Sequence, residues 1–238
     1  MALVVRADIP RSWIGDIPDM GAVEIWPDGN RLSPGFGESL ALPFGVFGMS
    51  GNDGFVIETE RMILRRFSME DTGLLYELNS NPEVLRYLSR RGPSWEEVEE
   101  ALQDYIVQYS RELSPGRLAA LDRASGRFIG RFSLHQHGGI RELSMGYRLM
   151  PECWGRGLAT EGAKALIGYG FAMPDVERIR AQTMFVNAGS RRVMEKCGLR
   201  YIRTFHEQFD DPLPGTELGE GEYAITRREW LVASRLHW

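Results

Sequence analysis

From about residue 55 onward the apolar positions fall into short periodic runs, and each run predicts one element. RMILRRF (61–67) alternates as a strand, and Ser68 stands where it caps a helix bearing Leu74, Leu75 and Leu78. Asn81-Pro82 opens a short helical piece, with proline in the first turn, where an N–H would have no intrahelical acceptor. SWEEVEEALQDYIVQYSREL carries the strongest helical pattern. Ser94 and Glu97 form a capping box, and Val98, Leu102, Tyr105, Ile106, Tyr109 and Leu113 share one face. Three alternating runs follow, RLAALD (117–122), RFIGRFSLHQ (127–136) and RELSMGYRLM (141–150). Turns at Ser125-Gly126 and Gly138-Gly139 join them into an antiparallel meander. Next comes a helix with Ala163, Leu166, Ile167 and Phe171 on its core face. RIRAQTMFV (178–186) reads as a strand, and NAGSRRVMEKCG (187–198) as a helix capped by Asn187 and stopped by Gly198. RYIRTFHE and EYAITRREW read as two closing strands. The order β-α-α-β-β-β-α-β-α-β-β describes one mixed α/β domain without internal repeats.

The first 54 residues lack either period. They hold nine glycines and five prolines, against 25 such residues in the remaining 184, and read as a flexible N-terminal extension. Trp13, Trp26 and LALPFGVFGM are apolar enough for partial docking on the domain. Met49, followed by polar SGNDG, can also be read as a start, with residues 1–48 an upstream extension. Seven acids and three bases place −4 of the net charge of −5 in this segment.

Charge and cysteine content narrow the chemistry. With no basic block, a dedicated nucleic-acid surface is not indicated. No apolar run approaches the roughly 18 residues of a membrane span, and a secretory signal pattern is missing, so the expected location is cytoplasmic. Cys153 and Cys197 lie far apart, without a CxxC or a histidine at metal spacing, and read as small buried thiols; no metal site is expected.

The glycine-rich stretch CWGRGLATEG (153–162) stands between a strand and a helix. A helix N-terminus offers unpaired N–H groups and the positive end of its dipole, and glycine lets a phosphate approach that backbone. Two common phosphate motifs are excluded. The chain has no Gly-Lys pair for a Walker loop, and Gly155-Arg156-Gly157-Leu158-Ala159-Thr160 lacks the third glycine of a dinucleotide fingerprint. On their own, Gly155 and Gly157 fit a tight turn as well as a phosphate cradle.

MGYRLMPECWGRGLATEGAKALIGYGF, followed 15 residues later by NAGSRRVMEKCGL, resembles the GNAT superfamily of acyl-CoA-dependent N-acetyltransferases. More narrowly it looks like the branch that acetylates N-termini of ribosomal proteins, over about Glu58 to Trp230. The resemblance implies a single domain, here 55–238, with a mixed, mostly antiparallel central sheet flanked by helices, and acetyl-CoA as the acyl donor. It maps the pantetheine arm onto Met145, Gly146, Tyr147, Arg148 and Leu149. The pyrophosphate loop falls on Trp154, Gly155, Arg156, Gly157, Leu158, Ala159 and Thr160, with Asn187 and Ser190 as further cofactor contacts. Arg156 can add a mobile counter-charge or simply be a solvated surface residue.

The catalytic positions depart from the family. A glutamate often precedes the Ile-Gly-Tyr of the equivalent strand, where this chain has Ser144. Glu142, two residues earlier and on the same strand face, is the preferred general base, with Ser144 as a candidate proton donor to the thiolate. The tyrosine that some relatives carry seven residues after the asparagine is Met194 here. His135 and His137 are alternative bases or ordinary sheet-edge residues. An α-amino group, with pKa about 8, is far more often neutral at pH 7 than a lysine at about 10.4, which favours a protein or peptide N-terminus as acceptor. Acidic DDPLPGTELGEGE (210–222) could attract a cationic acceptor or be a solvated loop. Acetylation of a small amine and a non-catalytic acyl-CoA-binding module remain as other readings.

Overall fold

The computed structural model describes residues 41–42, 45–49, 55–110, 114–139, 141–209 and 211–235, the first two segments by backbone alone. Readings placed on residues 1–40, Trp13 and Trp26 among them, and on Leu113 lie outside the described residues.

The meander is present as expected: β4 (Met62–Arg66), β5 (Gly116–Asp122), β6 (Phe128–Gln136) and β7 (Glu142–Leu149) pair antiparallel in sequence order. Three further strands precede them: β1 (Ala41–Leu42), β2 (Gly45–Met49) and β3 (Phe55–Glu58). Periodicity did not reveal β3, because Phe55, Val56 and Ile57 are all buried and such a strand has no alternation. Val46 through Met49 pair with Glu58 through Phe55, so β2 belongs to the sheet.

Beyond β7 the chain crosses over through α4 (Leu158–Ala172) to β8 (Arg178–Met184), then runs through α5 (Ala188–Lys196) to β9 (Arg200–Phe205) and β10 (Glu220–Thr226). The sheet order is β1-β2-β3-β4-β5-β6-β7-β8-β10-β9, with β7–β8 the one parallel pair among the described residues. EYAITRREW is not all strand. It splits at Thr226, and Arg227–Arg235 forms helix α6. The Glu229 carboxylate accepts from the Thr226 amide at 2.9 Å, and the Thr226 hydroxyl accepts from the Glu229 amide at 3.3 Å. That is a capping box, and it starts a helix where strand alternation alone would continue.

Helices cover both faces of the sheet. On β5, Leu118 and Ala120 join the large core cluster beneath α4, while Ala119 between them joins a smaller one with Phe67, Leu75, Val98 and Leu102. Because neighbouring strand residues point to opposite faces, α1 (Thr72–Ser80) and α3 (Trp95–Tyr109) lie across the sheet from α4. The short α2 (Pro82–Leu85) links them. Its Asn81 side chain accepts from the Glu83 and Val84 amides, and Ser94 and Glu97 cap α3 reciprocally. On α4 the four expected core residues are all buried, and Gly162 meets the sheet so closely that a Cβ there would lie 2.4 Å from the Phe132 ring.

Candidate functional site

Strands β7 and β8 form a fork. They pair only at Glu142–Arg178, Leu143–Ile179 and Ser144–Arg180, although β7 continues to Leu149 and β8 to Met184. From Met145 on, one edge of β7 has no strand partner. An extended molecule laid in the fork can hydrogen-bond that edge as a strand would. Tyr147 spans the opening: its hydroxyl lies 2.9 Å from the Ser190 hydroxyl and 3.0 Å from the Ser190 carbonyl, in the first turn of α5. Burial pushes this phenol well above its usual range, so it stays neutral. The Asn187 side chain accepts from the Ser190 amide at 3.1 Å and holds that turn in place.

At the open end of β7 the loop turns through Pro151–Cys153 and enters α4. The Trp154 indole donates to the Leu149 carbonyl at 2.8 Å, while about half of its surface stays exposed. Gly155 and Gly157 both have positive φ, 71° and 81°. Gly157 is the N-cap of α4 and has no side chain to satisfy the first-turn amides, and the helix's own bonding begins with the Glu161 amide on the Gly157 carbonyl at 3.0 Å. The amides of Leu158, Ala159 and Thr160 therefore remain for an external acceptor, at the positive end of the dipole. The Arg156 side chain is exposed and has no ion-pair partner among the described residues. This combination fits a diphosphate.

A residue the sequence reading passed over holds the loop from behind. Glu161, in the first turn of α4, accepts from the Thr59 hydroxyl at 2.6 Å, the Arg61 amide at 2.8 Å and the Arg61 Nε at 2.7 Å. Arg61 also donates to the Arg156 carbonyl at 2.9 Å. Burial raises the Glu161 carboxyl pKa, but these hydrogen bonds outweigh it and hold the group below the ordinary range. A depressed folded-state pKa contributes stability above about pH 4.5, which is lost as pH falls through the folded value. Accordingly, acetyl-CoA affinity in the native protein should begin to fall only at a pH below the ordinary carboxylate value of about 4.5, as pH drops through the folded pKa, and Glu161→Gln should flatten that dependence. Fluorescence titration across pH 3.5–7 reads both.

The face of β7 toward α1 and α3 carries Glu142, Ser144, Gly146 and Arg148 in alternation. Ser144 is the last residue of β7 paired across to β8, at the apex of the fork, and His135 is its direct partner on β6. Glu142 lies 3.8 Å from the Arg180 guanidinium and 3.9 Å from that of Arg178. The same two arginines approach the buried Glu222 at 3.6 and 3.7 Å, and Arg203 donates to it at 2.8 Å. Burial alone would raise the Glu222 carboxyl pKa; the Arg203 hydrogen bond and the neighbouring cations lower it. His137 lies 2.6 Å from Arg180 and joins this network. Sequence reasoning missed the network because it depends on the β7–β8–β10 register.

Other candidates are drawn into the structure. Asp211 of the acidic loop pairs with Arg90 at 2.7 Å, Glu217 accepts from the Gly215 amide at 3.0 Å, and Glu222 belongs to β10. Met194 is buried in the core. Both cysteines are free and buried, and burial pushes the Cys197 thiol up to about 12. Among the described residues no helix is long and apolar enough to cross a membrane.

A forked sheet with an uncapped, glycine-lined helix N-terminus at its mouth can hold an extended molecule that carries a diphosphate, as acyl-CoA does. The family model described as "Acetyltransferase (GNAT) domain" matches residues 61–200, and the chain belongs to this family of acetyltransferases, with acetyl-CoA as acyl donor. The FsC-acetyl coenzyme A-N(2)-transacetylase of Aspergillus fumigatus is 31% identical over 183 residues, covering 74% of this chain and 77% of the relative. In fold this chain is similar to spermidine N-acetyltransferase from Vibrio cholerae, solved with CoA and spermine. The TM-score is 0.61 at 20% identity, over 71% of this chain and 98% of the other. It is also similar to a ribosomal L7/L12 alpha-N-protein acetyltransferase solved with coenzyme A, with TM-score 0.60, 18% identity, and 72% and 97% coverage.

Proposed function

We propose that this acetyltransferase modifies an α-amino group, that of a peptide or protein N-terminus, with Glu142 assisting removal of the amine's proton and Ser144 positioned to protonate the departing thiolate. The observation that carries this reading is the setting of Glu142, which stands near the fork apex but between Arg178 and Arg180. An amine with pKa near 8 is far more often neutral at pH 7 than one near 10.4, so it asks less of a base at the fork. The acidic loop supports the same choice over a polycation, since Asp211, Glu217 and Glu222 already have partners within the chain.

In this reaction the amine nitrogen bonds to the thioester carbonyl carbon, the C–S bond breaks, and sulfur leaves as thiolate. The chain contributes alignment at the fork, amides at α4 for the diphosphate, and proton handling by Glu142 and Ser144. The peptide-amine relative in fold and the transacetylase of A. fumigatus acting at an N(2) position are both compatible with an α-amine.

Glu142→Gln should reduce kcat by about 10²-fold or more, the lower end of general acid–base effects, and leave acetyl-CoA affinity unchanged. Thiol release with free-N-terminus peptides, N-blocked lysine peptides, and polyamines as acceptors tests both claims. Turnover confined to polyamines would overturn the α-amine assignment, and an unaltered kcat across pH would remove Glu142 from the mechanism.

A further inference from the structure

On the acceptor side of the sheet two arginines face each other with no acid between them. Arg131 of β6 and Arg148 of β7 are direct cross-strand partners. Arg131 shares its sheet face with Ala119, its partner on β5, and so points toward α1 and α3; Arg148 does likewise. Like charges directly opposite on neighbouring strands destabilise a sheet. Among the described residues neither guanidinium has a carboxylate within 4.0 Å. Their hydrogen-bond partners are neutral: Arg148 donates to the Asn79 side-chain oxygen at 2.5 Å and Arg131 to the Tyr105 hydroxyl at 3.3 Å. The Arg131 Nε is buried without a hydrogen-bond partner. A third cation, Arg117, stacks over the same Tyr105 ring at 4.5 Å.

Partly buried cations without counter-ions are costly, and proteins ordinarily pair them. Burial, then the neighbouring charge, lowers the pKa of Arg148; burial, reinforced by Arg117, does the same for Arg131. Both side chains retain partial exposure, so an incoming molecule can reach them. Arg148 stands four residues from Ser144 on the same face, about 13 Å along the strand.

We propose that Arg131 and Arg148 form a subsite for an anionic group of the acceptor, a carboxylate or phosphate carried within about 13 Å of the amine that is acetylated. This inference rests on the acetyl-acceptor reading of the fork, and it specifies the acceptor's chemistry: an amine that also carries negative charge. Guanidinium pairs bind such groups through several charge-assisted hydrogen bonds.

The test uses the full chain saturated with CoA, so that turnover is not required. Glutarate and inorganic phosphate are titrated separately by calorimetry, which distinguishes a carboxylate from a phosphate subsite. Saturable binding of one of them, weakened at least tenfold by Arg131→Gln, is the expected result. Absence of saturable binding for both, or binding that Arg131→Gln leaves intact, would overturn the subsite. Without ligand, Arg131→Gln should raise Tm by about 2–4 °C, as relief of an unpaired buried charge does in a chain of this size. A Tm lowered by that amount would show a structural partner for the guanidinium and count equally against the proposal. Thiol release with free-N-terminus peptides carrying Glu or Gln within the first four residues is measured in parallel. Equal turnover of the Glu and Gln peptides would overturn the subsite and leave acetyl transfer standing, whereas failure of transfer itself is visible as no thiol release from any peptide.

Discussion

Replacing Gly162 by valine is expected to destabilise the protein by about 3 kcal/mol and lower Tm by roughly 6–12 °C. The Cβ that any other residue adds would sit 2.4, 2.5 and 2.9 Å from three carbons of the Phe132 ring, inside the distance at which atoms can coexist. Phe132 is fully buried at the centre of β6 and has nowhere to move. Relief therefore requires α4 to lift from the sheet, and α4 begins at the loop proposed to face the diphosphate. The variant should lose acetyl-CoA affinity together with stability. Phe132→Leu in the same chain should recover part of both, because it removes the atoms that the new side chain strikes. Thermal unfolding of the single and double variants measures the coupling. A Gly162→Val protein with native Tm would mean that helix and sheet are more loosely packed than the structure indicates.

The second large effect falls on Gly157 and has a different origin. A Cβ there has room, its nearest neighbour being the flexible end of Arg61 at 3.5 Å, but the backbone φ of 81° is a conformation that β-branched residues avoid. Gly157→Val should pull the N-cap out of this conformation and re-aim the first-turn amides of α4. Such backbone strain amounts to about 1–3 kcal/mol. Spent on the bound geometry, it corresponds to acetyl-CoA binding weaker by roughly 5- to 150-fold. Gly157→Asn, which tolerates positive φ, should retain most of the affinity. Isothermal titration with CoA compares the two. Equal losses would show that bulk at the loop, and not backbone conformation, governs binding.

What was legible in the sequence is local. Glycines after a strand, a cap at Asn187, a stop at Gly198 and the apolar face of α4 are set by residues near one another in the chain, and the structure bears them out. Helix α6 was legible too, in the Thr226-x-x-Glu229 box, but the alternating run before it continued the strand reading. The fork was not, because it depends on where β8 stops pairing with β7. For the same reason the Arg178–Arg180–Glu222 network and the Arg131–Arg148 pair were hidden: each joins strands whose register no single segment encodes. Glu161 was likewise a helix residue until Thr59 and Arg61 came beside it.

The tie from Glu161 to Thr59 and Arg61 joins residues 102 and 100 positions apart. Closing so long a loop is slow relative to forming the local meander, so the loop around Gly155 and Gly157 is expected to take its final shape late in folding. Contacts made after the rate-limiting barrier hardly alter the folding rate, but they retard unfolding. If acetyl-CoA is held by this loop, it is expected to act on the chain's lifetime: it should lengthen the interval between unfolding events and leave the time needed to fold almost unchanged, which unfolding and refolding rates with and without the ligand would check.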